Sequence, residues 1–484
     1  MTIFRIAAIC LLVGAQPLSS QAEATGPWDY SNSLRRSVVI AGHEGERFRL
    51  QDRMAHYLVP GVSVAVIENC RIVDVRAFGR AAPGGGPATT RTMFQAGSIS
   101  KTFTAVAALR LVGQGTLSLD GDVRQRLTSW RLPDSPLLAG HNVTLRGLLS
   151  HTAGINQEGG VGYPRDAPLP TLFDILDGRP PANTAPIRVE SAPGAWRYSG
   201  GGYYIAQALM RDATGDEYPR LMQRLVLGPL RLRDSHFSQP LDQRLVPLAA
   251  RAAGPDGSPL EGGWRVNPEL AAGGLWTTPA DVARLTIAMA RAVRGEAPSI
   301  LGPAAARELM TRGPGNWGLG VDLGPPGRAR RFGHTGHNIG FSSEFVMYPD
   351  TCQGAVVMTN ADEGGWLVTE VLLAIGDTYG WPDRTARPVQ AAIPLTAAIA
   401  ERFVGTYRLR DFPAERFTIS RRPGSLYWAR VGHVGRDLLP EGDGRLFSPD
   451  SRMTLEASDP NRVKAQILSL SFGGGSNIAE RIGD

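Results

Sequence analysis

The sequence predicts an α+β protein: one antiparallel sheet assembled from distant segments and flanked by helices, a helical insertion, and then a small all-β domain. Three observations predict it. Strand signals cluster at two distant places, SVAVI and RIVDVRAFG within 63–79, then RRFGHTG, SSEFVMYPD and GAVVMTN within 330–360. Between them, from about 117 to 290, helical patterns such as YYIAQALMRDATG and PADVARLTIAMARAV dominate. Beyond residue 398 the chain turns to short strands with turn punctuation: FVGTYR, RFTISRRPGSLYWARV, GRDLLPEGDGRLFSPD and VKAQILSLSFGGG.

At 484 residues and 42% hydrophobic content, the chain can bury a sizeable core and hold more than one domain. It opens MTIFRIAAICLLVGAQPLSSQAEATG, with Arg5 before an apolar run and Ala22-Glu23-Ala24 after it. That pattern predicts a secretory signal peptide over 1–24, cleaved after Ala24, and is too short to span a bilayer; a buried N-terminal helix is the alternative. Cys10 comes too early in the apolar run, with no small-residue lipid-attachment pattern around it. The expectation is a periplasmic or secreted protein with no transmembrane segment in the mature chain.

EGERFRLQDRMAHYLVPG (44–61) has helical spacing and stops at Pro60-Gly61. A tight turn at Glu68-Asn69-Cys70 joins the first two strands, and AAPGGGPATT (81–90) reads as a surface loop. TFTAVAALRLV (102–112) is a helix ending before Gly113, and LVTEVLLAIGDTYG (367–380) is a closing helix. Residues 384–398, RTARPVQAAIPLTAA, read as a linker. The domains are then 25–383 and 399–484, the second barrel-like or sandwich-like. The net charge of +6 and pI of about 9.4 come from scattered basic residues, with no aromatic-interleaved basic stripe. Nucleic acid is therefore excluded as a partner, and the charge suits a mildly basic surface facing an anionic envelope.

The chemistry centres on GSISKTFT (97–104). The chain has 49 arginines and two lysines, Lys101 and Lys464, so a lysine three residues after Ser98 is unusual here. Serine needs a base to become a nucleophile, and the i, i+3 spacing puts both side chains on one helix face. A desolvated lysine amine near a helix N-terminus can give up its proton, whereas arginine cannot. The bland alternative is a helix-capping serine followed by a solvated lysine. PGAWRYSGGGYYIAQAL (193–209) sets Tyr198 in a glycine-rich turn before a helix, as a proton-sharing phenol or a packing tyrosine. RRFGHTGHNIGF (330–341) sets His334-Thr335-Gly336 on a strand where small residues let a substrate backbone lie along the edge. His334 could equally be an ordinary strand histidine. With His337 it could hint at metal, but no third ligand stands at readable spacing.

Ser98-x-x-Lys101, Tyr198 and His334-Thr335-Gly336, in this order, resemble the three-motif set of the superfamily of class C β-lactamases, D,D-peptidases and serine esterases. TLRGLLSHTAGI (144–155), LVLGPLRLRDSHF (225–237) and AAGGLWTTPADVARL (271–285) are similar to stretches typical of that family, over roughly 30–380. The tail from FVGTYR resembles the lipocalin-like domain appended to some members. The resemblance implies a β-lactamase/transpeptidase-like fold, Ser98 as nucleophile and Lys101 as proton acceptor. It implies Tyr198 as partner base and activator of the deacylating water, and substrate binding by His334, Thr335 and Gly336. Backbone amides of Ser98 and of a residue on the His334 strand would hold the oxyanion. No cofactor or metal is needed. The family sheet would also bring the end of the first strand to the start of GAVVMTN, which predicts a Cys70–Cys352 disulfide in an oxidising compartment.

Two departures bear on substrate. Many members read Tyr-x-Asn where this chain has Tyr198-Ser199-Gly200, and the third motif begins with histidine rather than lysine. Neither G-x-S-x-G nor a class A glutamate loop occurs. The expected activity is hydrolysis of amide or ester bonds in D-amino-acid peptides or small esters through an acyl-enzyme. The alternatives are a class C β-lactamase and a penicillin-binding protein that acylates without turnover.

Overall fold

The computed structural model describes residues 29–297, 300–383, 387–459, 462–472 and 475–484. The expected leader and its cleavage point, and the first three linker residues, lie outside the described residues. The elements that position the site are α1 (Leu50–His56), β1 (Gly61–Glu68), β2 (Arg71–Gly79), α2 (Ile99–Gly113), α3 (Leu145–Leu149), α4 (Gly200–Thr214), α5 (Leu270–Gly273) and α6 (Pro279–Val293). They continue with β3 (Phe332–Asn338), β4 (Phe341–Tyr348), β5 (Gln353–Thr359) and α7 (Gly365–Tyr379).

The five strands form one antiparallel sheet in the order β2-β1-β5-β4-β3. Both faces are covered, which is why β1 and β5 read as unbroken apolar runs. Along β1, Val62, Val64 and Val66 pack toward α1 and α7, while Ala65 and Ile67 pack toward α2 and the helical insertion. In β5 the same alternation sends Val357 one way and Met358 the other. β3 is one of the two edge strands, and its outer edge faces the start of α2. That helix is buried nearly all round, so it is a central core helix rather than an amphipathic one.

α1 is shorter than its sequence pattern. Phe48 and Leu34 exchange backbone hydrogen bonds of 2.9 and 3.1 Å, and this bridge, preceded by a turn at Glu44-Gly45, keeps the chain out of helix until Arg49 leads into α1. Cys70 and Cys352 are bonded, with Cα atoms 5.0 Å apart, and so tie the β1–β2 turn to the β4–β5 turn. Among the described residues no helix is long and apolar enough to cross a membrane.

The C-terminal part is a closed antiparallel barrel of eight strands: β6 (Gly405–Leu409), β7 (Arg416–Arg422), β8 (Ser425–Arg430), β9 (Arg436–Gly442), β10 (Arg445–Phe447), β11 (Thr454–Ala457), β12 (Ile467–Phe472) and β13 (Gly475–Gly483). The pairing of β13 with β6 closes it and leaves no free edge. A helix, Ala397–Phe403, leads in where the linker was expected to end, capped by the Thr396 hydroxyl, and it packs Ile399 and Phe403 into the barrel core. Val389–Gln390 within the expected linker pair in parallel with Val39–Ile40.

The two parts meet over a buried charge network. Asp450, on the β10–β11 loop, is fully buried and accepts from Arg53 at 2.7 Å and Arg36 at 2.8 Å, with the His56 ring nitrogen at 2.7 Å. Arg53 also makes a two-pronged pair with Glu370 of α7 at 2.6 and 2.8 Å. Burial alone would raise the Asp450 carboxyl, but His56, Arg53 and Arg36 outweigh it and hold it far below the usual range.

Candidate active site

Two glycines allow the start of α2 to lie directly on β3. A Cβ on Gly97, whose φ is +52°, would sit 2.5 Å from the His337 backbone nitrogen, and one on Gly336 would sit 2.0 Å from the Ala96 carbonyl oxygen. Ser98 occupies the N-cap position of α2, yet its side chain makes no capping hydrogen bond. Instead Lys101 Nζ donates to Ser98 Oγ at 2.9 Å and to the Ala272 carbonyl of α5 at 2.9 Å. Lys101 is only 2% exposed, so it is not a solvated surface lysine. Burial pulls its pKa down to about 7, and no carboxylate pairs with it among the described residues.

Tyr198 stands one residue before the N-cap of α4. Its phenol interacts with the Ser98 hydroxyl, and Lys101 Nζ lies 5.1 Å from its ring centroid. Burial raises the phenol pKa; the Ser98 contact opposes this and the Glu158 carboxylate adds to it, so the phenol stays protonated. Gly200, two residues after Tyr198, has no room for a side chain: a Cβ there would fall 2.7 Å from the Glu158 carbonyl oxygen.

On β3 the side chains alternate. His334, Gly336 and Asn338 face the buried side toward α2, while Thr335 and His337 are exposed on the other. His334 therefore joins Ser98, Lys101 and Tyr198, its ring centroid 6.4 Å from that of Tyr198. Thr335 instead lines a shallow cleft with Glu344, Asp362, Trp366 and Phe472. The His334 Nδ1 lies 2.6 Å from the Thr335 carbonyl oxygen. A carbonyl only accepts, so Nδ1 carries the proton and Nε2 is a bare acceptor. Burial and the nearby Lys101 pull the ring down to about 3, which keeps it neutral.

His151, just past α3, was not singled out by sequence reasoning. Its Nδ1 accepts the Ser199 backbone N–H at 3.1 Å, and its ring lies 4.3 Å from the Tyr198 ring. Burial, with Lys101 and His334 nearby, holds it well below the usual histidine range. Trp317 packs against Tyr198, His151 and His334 at 5.9, 5.1 and 5.3 Å. The only signal for His151 was its place in TLRGLLSHTAGI.

His334 and His337 point to opposite faces of β3, so the pair does not form a metal site. Asp362, Glu363 and His433 bring ligand atoms within 4.8 Å of one another at the junction with the barrel. They are engaged there: Glu363 pairs with His433 at 2.8 Å and Arg436 at 2.9 Å, and Asp362 accepts from the Gly340 N–H at 2.8 Å.

The β-lactamase family model matches residues 49–378. The esterase EstB of Burkholderia gladioli is 30% identical over 298 residues, covering 54% of this chain and 74% of EstB. The D-alanyl-D-alanine-carboxypeptidase/endopeptidase AmpH of Escherichia coli K12 is 25% identical over 46% of this chain and 56% of AmpH. The solved octameric penicillin-binding protein homologue from Pyrococcus abyssi superposes with a TM-score of 0.57 at 21% identity, over 89% of this chain and 98% of that one. The match spans the sheet, α2 and the helical insertion. The chain thus belongs to the β-lactamase family and is a serine hydrolase of that superfamily.

Proposed function

We propose that this chain is an exported hydrolase that forms an acyl-enzyme at Ser98 and cleaves amide or ester bonds of D-amino-acid peptides or small esters. One observation carries the mechanism: a buried lysine amine 2.9 Å from Ser98 Oγ, with a pKa pulled down to about 7. At neutral pH much of it is the free amine. It takes the Ser98 proton as Oγ bonds to the substrate carbonyl carbon. The tetrahedral oxyanion would be held by the backbone amides of Ser98 and His337, which the Gly97–His337 contact brings together. Collapse breaks the bond to the leaving amine or alcohol, which takes a proton from Lys101 through the Tyr198 hydroxyl. Water then attacks the acyl-serine ester, giving its proton to Lys101; the Oγ–acyl bond breaks to free the acid, and Lys101 returns that proton to Ser98 Oγ. Tyr198, protonated in the resting site, acts here as a relay rather than as the first base.

The neutral His334 argues for uncharged or weakly anionic groups beside the third motif and against efficient β-lactam hydrolysis, where a carboxylate must be held. EstB and AmpH, an esterase and a carboxypeptidase/endopeptidase by name, support the ester and D-peptide classes. Export is supported by the Cys70–Cys352 bond, which suits an oxidising compartment, and by the leader-like residues 1–24. The test presents p-nitrophenyl esters, D-alanyl peptides and nitrocefin to the purified protein and to Ser98→Ala, with mass spectrometry of the acylated protein. Turnover of esters or D-peptides with an adduct on Ser98 is expected. Preferred turnover of nitrocefin would make the protein a β-lactamase, and a burst without turnover would make it a penicillin-binding protein. No adduct on Ser98 would remove the mechanism.

A further inference from the structure

His151 stands where a glycine usually ends a helix. After α3 the Thr152 N–H donates back to the Gly147 carbonyl at 2.9 Å, and His151, just before it, takes a left-handed φ of +62°. Glycine adopts that conformation freely and histidine does not, so the reason for a histidine lies in its side chain. The turn aims two acceptors of His151 at the two flanks of Tyr198. Its backbone carbonyl accepts the Arg197 N–H at 2.9 Å, and its Nδ1 accepts the Ser199 N–H at 3.1 Å. Between these bonds the ring lies 4.3 Å from that of Tyr198, tilted by 35°. One residue thus grips Tyr198 on both sides and on its face.

A backbone N–H only donates, so Nδ1 of this ring is bare and Nε2 carries the proton. That Nε2–H is buried and has no hydrogen-bond partner among the described residues. A phenylalanine would fill the same space without burying a donor, so packing does not account for the imidazole; the acceptor at Nδ1 does. The ring has little room to turn away. Trp317 and Tyr203 close on it at 5.1 and 5.5 Å, and Tyr203 is itself fixed by its hydroxyl on the Leu149 carbonyl at 2.9 Å.

We propose that His151 is the positioning residue for Tyr198, holding the phenol where it passes a proton between Lys101 and the departing group. This rests on the reading of Ser98 as the acylated residue and of Tyr198 as the relay. His151 touches no reacting atom and moves no proton; it acts through the backbone on either side of Tyr198. Its loss therefore tells on the one step that needs the relay, protonation of the leaving group. A leaving group that is stable as an anion departs without that proton and depends on His151 less.

The test compares kcat/KM, which reports the steps through acylation, for p-nitrophenyl butyrate and ethyl butyrate. The nitrophenolate leaves as the anion, whereas the ethanol oxygen must be protonated as it leaves. Wild type is measured beside Tyr198→Phe, His151→Phe, His151→Gln and His151→Asn. An asparagine carbonyl falls where Nδ1 stands and suits a left-handed backbone; a glutamine carbonyl lies one bond further out, and phenylalanine has none. Tyr198→Phe should lose at least about tenfold more on the ethyl ester than on the p-nitrophenyl ester. His151→Phe and His151→Gln should do the same, and His151→Asn should recover the wild-type ratio to within about threefold. The ratio of the two rates does not depend on the folded fraction, so a poorly folding variant still reports. Equal losses on both esters in His151→Phe and His151→Gln, or His151→Asn no better than His151→Phe, overturn the assignment while leaving Ser98 acylation standing. An unchanged ratio in Tyr198→Phe, or a wild type that takes only the p-nitrophenyl ester, removes the relay and the role of His151 with it. If wild type forms no adduct on Ser98 with either ester, the acyl-transfer reading falls and this assignment falls with it.

Discussion

Lys101 and Arg53 are both buried cations, 2% and 3% exposed, and they have opposite fates. Lys101 has a serine hydroxyl and a carbonyl for partners, and burial alone brings its amine to about 7. Arg53 suffers burial too, but Glu370, Tyr57 and Asp450 outweigh it and fix its charge. On the proposed mechanism, the Ser98 pocket makes a base by withholding a carboxylate from a buried amine. The domain junction makes a structural clamp by supplying two. Side-chain chemistry matches position: lysine where the proposed mechanism needs a proton to leave, arginine where the charge is held by two carboxylates.

The sharpest way to break this contrast is Lys101→Arg, which puts a permanent cation where a base is needed. The fold should survive, while kcat/KM falls roughly 10²- to 10⁴-fold, and Lys101→Ala should match Ser98→Ala because the pair works as a unit. Lys464→Arg, in the barrel, is the control. An active Lys101→Arg enzyme would sink the lysine-base mechanism.

The reverse experiment removes a partner from the clamp. Asp450→Ala leaves Arg53, Arg36 and His56 facing an uncompensated hole, at a cost of about 3–5 kcal/mol. Urea unfolding should show that loss, with Ser98 acylation intact in the folded fraction. A loss below about 1 kcal/mol would mean the network is no clamp.

A milder change sharpens the electrostatics of the pocket. His334→Lys places a cation where the resting imidazole is neutral, so reaction with carboxylate-bearing β-lactams should gain about tenfold over reaction with neutral esters. Equal changes for both would show that no carboxylate binds beside His334.

The smallest effect is in wild type. With the free amine as the active form, kcat/KM should rise with pH and level off above a midpoint near 7, falling about tenfold per unit below it. His334, at about 3, adds no step between pH 5 and 9. A profile still climbing at pH 9 would place Lys101 in its ordinary range.

How much of this was legible in the sequence follows from the range of the interactions. The S-x-x-K pair is local, and one helical turn brings its side chains together wherever it occurs. Strand periodicity likewise marked β1 to β5, because alternation and apolar runs are read residue by residue. Barrel and sandwich look alike in the sequence, since closure depends on β13 meeting β6, some seventy residues away by the Arg408–Glu480 register. The Asp450 clamp spans 397 residues from Arg53, and no spacing rule reaches that far. His151 escaped notice because its role is to accept one backbone N–H from a loop 48 residues on. Lys101 showed itself by rarity, but its carbonyl partner at Ala272 came only with the packing of α5.

The clamp has a consequence for the order in which the protein is made. A ribosome delivers Arg53 and Glu370 well before Asp450, so a nascent catalytic part already holds its buried arginine but only one of its two carboxylates. The last strand of the central sheet, β5, ends at Thr359, and the clamp closes almost a hundred residues later. A chain cut short between α7 and Asp450 has Glu370 but not Asp450, so its Arg53 keeps only one of its two carboxylate partners. Such a fragment should open near α1 and become accessible to proteases there. The β10–β11 loop thus ties the catalytic part to the barrel, and only chains that reach Asp450 carry that tie.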